Sequence, residues 1–143
     1  MRAADRGQPA SEVPAPEMKP RTRSKVSDPA RPLGQLNAYL ERNFPDFFAE
    51  VRFQAGEDDY FLYARFGQYL ARVIEHNRAG EHTIRRGFTL LNQMARAARR
   101  HPRIRELLLR GPLEYFLDAP KARRLASERL SDTAQGYLAS LCE

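Results

Sequence analysis

The densest chemistry in this sequence is cationic. The stretch RRGFTLLNQMARAARRHPRIRELLLRGPLEYFL, residues 85–117, holds eight arginines and only two acids. Set on a helical wheel, Arg85, Arg96, Arg99 and Arg100 lie opposite the Phe88/Leu91 side, with Thr89, Asn92 and Gln93 among them, and Arg103 and Arg105 follow across Pro102. Several cations on one surface with polar donors between them are what phosphate recognition requires. A solvated outer face of an amphipathic helix has the same composition, and no aromatic residue stands among these arginines to stack on a base. The patch Arg85, Asn92, Arg96, Arg99, Arg100 and Arg103 is therefore a candidate surface for nucleic acid or for an acidic protein.

The second cluster is acidic and aromatic. Gly56 is followed by Glu57, Asp58, Asp59, Tyr60 and Phe61. Paired carboxylates can do acid–base work, and the same acids suit a helix N-terminus, where they cap free N–H groups and complement the dipole. Phe61 falls on the polar side of the helix that follows, and an exposed aromatic beside acids suits a protein-binding hot spot. Two Glu-His pairs occur in EHNRAGEH, residues 75–82, with His101 elsewhere. Imidazole and carboxylate are zinc ligands, but His76 and His82 flank a glycine turn without the i, i+4 spacing of zinc enzymes, so no metal site is assigned. Cys142 is the only cysteine, which excludes an intrachain disulfide and a thiolate cluster. No Ser, Cys or His stands in a local setting that marks a nucleophile, and no glycine-rich phosphate loop occurs. The reading is of a protein that is not an enzyme and needs no cofactor.

These groups must be positioned by helices. Leu33, Leu36, Leu40 and Phe44 recur at helical spacing until Pro45. The alternation of Phe47, Ala49, Val51 and Phe53 permits a strand, but Pro45 and Asp46 suit a first helical turn and no second strand is available for pairing. Leu62, Phe66, Tyr69 and Val73, widened by Tyr63, Leu70 and Ile74, give a stripe broad enough for a central helix, with Gly80 as its stop. A helix from about Thr83 to Arg100 follows, with Ile84, Phe88, Leu91, Ala95 and Ala98 inward. Pro102 and Pro120 each mark a new start, Gly111-Pro112 an interruption, and Asp132 with Gln135 resembles a capping box that divides the last region. The fold class is all-α, a compact bundle or short solenoid of about five to six amphipathic helices.

The helical domain spans 33–143. Residues 1–32 contain six of the ten prolines and few large apolar side chains, the composition of a disordered tail. The formal charge of +6 is uneven. The tail has seven basic and four acidic groups, residues 33–77 four and seven, and residues 78–143 thirteen and seven. Such asymmetry steers charged partners. No apolar run is long enough to span a bilayer, and the start lacks the apolar centre of a secretory signal; the expectation is a cytoplasmic protein without membrane contact.

The pattern from Phe88 to Met94, His101-Pro102, Ile104 to Leu109, Gly111 to Glu114 and then Pro120 onward resembles a family of small bacterial all-helical domains of unknown function. That family is similar, in size and build, to immunity proteins of bacterial toxin–antitoxin and contact-competition systems. The resemblance implies a non-enzymatic protein-binding module that blocks a partner protein by occlusion; the acidic and aromatic cluster Glu57 to Phe61 is the expected contact. The alternative function is sequence-independent nucleic-acid binding by the arginine face of residues 85–110.

Overall fold

The computed structural model describes residues 30–56, 58–76, 78 and 80–142. The expected disordered tail falls outside these residues except at 30–32, which are already helical. Among the described residues there is no strand. The helices are α1 (Ala30–Asn43), α2 (Pro45–Ala55), α3 (Asp59–Glu75), α4 (Glu81–Ala98), α5 (Pro102–Leu108), α6 (Glu114–Phe116), α7 (Pro120–Arg129) and α8 (Asp132–Leu141). A wide π-type turn, Leu109–Leu113, joins α5 to α6 as one kinked unit.

Three of the starts follow from proline, which leads α2, α5 and α7 because the first turn of a helix has no use for its missing N–H. α3 is capped by Asp58, whose carboxylate accepts from the Phe61 N–H at 3.2 Å. The ambiguous PDFFAEVRF segment is helical, and among the described residues it has no strand to pair with.

Three expectations need correction. Gly80 does not stop α3, which ends at Glu75 with His76 as its cap; Gly80 is extended and opens α4. The last helical region does divide, but Ser131 is its cap, accepting from the Ala134 N–H at 3.2 Å, while Gln135 turns back to the carbonyls of Ser127 and Leu130. Counting α5 to α6 as one unit gives seven helical rods among the described residues rather than five or six, because Leu130 is extended and separates α7 from α8.

α3 is the central helix, in contact with α2, α4, α5, the π-type turn, α6 and α7. Leu62, Tyr63, Phe66 and Leu70 are fully buried along it, meeting Leu91 and Met94 of α4, Ile104 and Leu108 of α5, and Phe116 of α6 in one core. Glycine permits the tightest approach. A Cβ added to Gly67 would stand 2.5 Å from the Pro112 Cα, and one added to Gly111 would stand 3.2 Å from the Tyr63 carbonyl. The kinked unit therefore lies backbone to backbone against α3.

Candidate interaction surfaces

The acidic cluster is largely occupied in holding helices together. Asp59 accepts from the Arg52 Nη2 at 2.7 Å and from the Asn37 amide at 3.3 Å, and the Tyr63 hydroxyl donates to Asn37 Oδ1 at 2.6 Å. One network thus ties α1, α2 and α3. Burial, with the Asp59 carboxylate second, pushes the Tyr63 phenol well above its ordinary range, and Arg52 only partly offsets this. Asp58 is consumed as a cap. Phe61, expected on the exposed side, is half-buried against the core with the Arg65 guanidinium 5.6 Å above its ring. Glu57 lies outside the described residues. Of the expected contact, Tyr60 at 40% exposure is the aromatic group left open.

A residue not assigned to this surface stands out more. Phe53 near the end of α2 is 92% exposed. Asp46 and Glu50 precede it at i−7 and i−3, so all three share one helical face, and all three are exposed. In a strand, the alternation of Phe47, Ala49, Val51 and Phe53 would place all four on one side. In a helix, Val51 is buried and Phe53, two residues on, is carried to the far side.

The arginine face does not stay together as one patch. Arg85 lies 4.0 Å from Glu81, and along α4 it is about 16 Å from Arg96. Asn92 is half-buried and has both polar atoms engaged: its amide donates to the Arg129 carbonyl at 3.2 Å and its oxygen accepts from the Ser131 N–H at 2.8 Å. It holds the α7–α8 turn rather than facing a ligand. Arg129 in turn forms a two-pronged pair with Glu81, which holds that carboxyl below its ordinary range. Arg96, Arg99, Arg100 and Arg103 are exposed, and among the described residues none of them pairs with an acid.

Two of these arginines, Arg96 and Arg100, border a groove of about 570 Å³ between α1 and α4, together with Gln35, Leu36, Gln93 and His101. His101 is buried, 9% exposed, and its enclosed Nδ1 is the one buried side-chain nitrogen or oxygen among the described residues without a hydrogen-bond partner. The histidines of EHNRAGEH sit otherwise: His76 and His82 are exposed at helix ends, and Glu75 accepts from the Ala122 N–H at 3.0 Å. Among the described residues no three His, Cys, Asp or Glu side chains gather as a metal-ligand set. Cys142 is an exposed thiol that accepts from Arg123 at 3.1 Å. No described helix is long and apolar enough to cross a membrane.

Set against protein-family models, curated proteins and solved structures, the chain matches none.

Proposed function

We propose that this chain is a non-enzymatic protein-binding module that acts by occluding its partner, in the manner of an immunity-type inhibitor. Phe53 carries the reading. A phenyl ring left 92% in water keeps its apolar surface free to be buried by a partner, and aromatic side chains of this kind anchor interfaces when a partner supplies a pocket. Its neighbours define that partner. Asp46 and Glu50 on the same face, with Asp58 and Tyr60 at the adjoining helix start, call for an apolar pocket rimmed by basic side chains. Such a contact needs only surface complementarity, so it accords with a domain whose buried residues form one helical core. We read that core as a compact bundle, because α3 touches six other segments where a solenoid repeat would touch only its neighbours.

The test is a pair of variants, Phe53→Ser and Tyr60→Ser, in quantitative binding to the protein captured from the source cell and then purified. Loss of about 2 kcal/mol or more at Phe53 is expected of an anchoring aromatic. Unchanged affinity in both variants overturns the reading.

A second reading has its own support in Arg96, Arg99, Arg100 and Arg103, which pair with no acid among the described residues. If they grip a nucleic-acid backbone, the logarithm of affinity falls steeply and linearly with the logarithm of salt. A flat salt response, or unchanged binding by Arg96→Glu with Arg99→Glu, removes it.

A further inference from the structure

We infer that the groove between α1 and α4 is a binding site for a phosphate group, either free phosphate or the head of a small phosphate ester. This inference is independent of the aromatic surface on α2.

Three observations converge on one place. The first is charge. Arg96 in the last turn of α4 and Arg100 in the turn just after it both border the groove, and neither has an acidic partner among the described residues. Two guanidiniums so close repel each other, and a doubly charged anion between them removes that repulsion while accepting several N–H donors. The second is the neutral lining. Gln35 from α1 and Gln93 from α4 bring amide donors to opposite walls, and Leu36 supplies an apolar surface on which the organic part of an ester can rest. The volume of about 570 Å³ exceeds what a bare phosphate fills and falls within the range of small-ligand sites.

The third is His101. Burying a polar nitrogen without a partner costs stability, and such orphans call for a bound group that completes them. His101 borders the same groove, and its Nδ1 is the orphan. No hydrogen bond at that nitrogen restrains the ring from turning toward a guest, and as an N–H it donates to an anionic oxygen. The other exposed arginines lack this company. Arg99 borders only a smaller recess of about 140 Å³, which Arg96 also reaches, with Thr133 and the engaged Asn92, and Arg103 borders neither.

The test is an NMR titration of the full-length chain, followed through backbone amides and the histidine side chains, with inorganic phosphate, ribose 5-phosphate and uncharged ribose. Saturable shifts centred on Gln93, Arg96, Arg100 and His101 are expected with both phosphates and not with ribose. Tighter binding of ribose 5-phosphate assigns the site to an ester; equal binding assigns it to free phosphate. Arg96→Gln with Arg100→Gln weakens binding by roughly tenfold or more, as loss of charge-assisted hydrogen bonds requires, while Arg99→Gln with Arg103→Gln leaves it intact. Because the shift map is read on the unaltered chain, the site is tested even if a variant folds poorly. Absence of saturation by either phosphate, shifts centred elsewhere, or equal weakening in the Arg99/Arg103 variant overturns the inference. So does binding confined to a single-stranded oligonucleotide, which would assign these arginines to a polyanion surface instead.

Discussion

Asp59 shows how a residue chosen for binding can belong to folding. Its carboxylate joins Arg52 of α2 to Asn37 of α1, and the Arg52 and Asp59 side chains are only about one-fifth exposed, at 21% and 20%. Asp59→Ala is expected to cost about 1–2 kcal/mol in urea denaturation, whereas Phe53→Ser changes stability by no more than about 0.5 kcal/mol. Equal, negligible losses in both would contradict the assignment of Asp59 to the helix network. Tyr63 gives a pH signature of the same network. Its folded-state pKa is raised, so its contribution is fully present below the ordinary phenol value of 10.0 and is lost as pH rises beyond it. Stability falls above about pH 10, and Tyr63→Phe makes that alkaline fall shallower; parallel curves for the two proteins would rule this out. The acids around Gly56 were legible in the sequence as helix-start residues. Their tertiary use was not, because Asn37 and Arg52 reach Asp59 only after two helices have docked.

At the scale of elements, the approach of the kinked unit to α3 is the most demanding contact. Gly67→Ala sets a Cβ against the Pro112 backbone, which cannot move aside as a flexible side chain would. The expected loss is at least about 1–3 kcal/mol, the range for overpacking, measured by thermal or urea unfolding. Gly136→Ala is the control, since a Cβ there meets nothing within 4 Å. A Gly67→Ala protein as stable as the parent would mean that α3 and the turn are not in backbone contact. Helical periodicity made the rods legible: the apolar sets of α1, α3 and α4 recur every three or four residues, and Pro45, Pro102 and Pro120 marked three starts. The joints were less so. Gly80 has the same letter whether it closes one helix or opens the next, and the backbone decides. Asn92 reads as an outward polar residue until the α7–α8 turn, nearly forty positions later, comes to rest on it.

For the whole molecule, the charge asymmetry visible along the chain becomes a division of surfaces. The exposed acids Asp46 and Glu50 accompany Phe53 on α2, while Arg96, Arg99, Arg100 and Arg103, unpaired among the described residues, lie at the end of α4, in the turn after it and at the start of α5. Composition made this polarity legible, but not the place of Phe53, whose exposure depends on the helical state of a segment that also alternates like a strand. The two surfaces make opposite demands on a partner, one for a basic rim around an apolar pocket and the other for an anion. The most direct test of the central proposal is affinity capture from nuclease-treated source lysate with the parent chain and with Phe53→Ser, followed by titration of the purified captured protein against both. The account predicts one stoichiometric protein partner that binds the parent and binds Phe53→Ser more weakly by roughly thirtyfold or more, as truncating an interface anchor requires. Equal affinity for the two chains, or capture that disappears with nuclease, would contradict it.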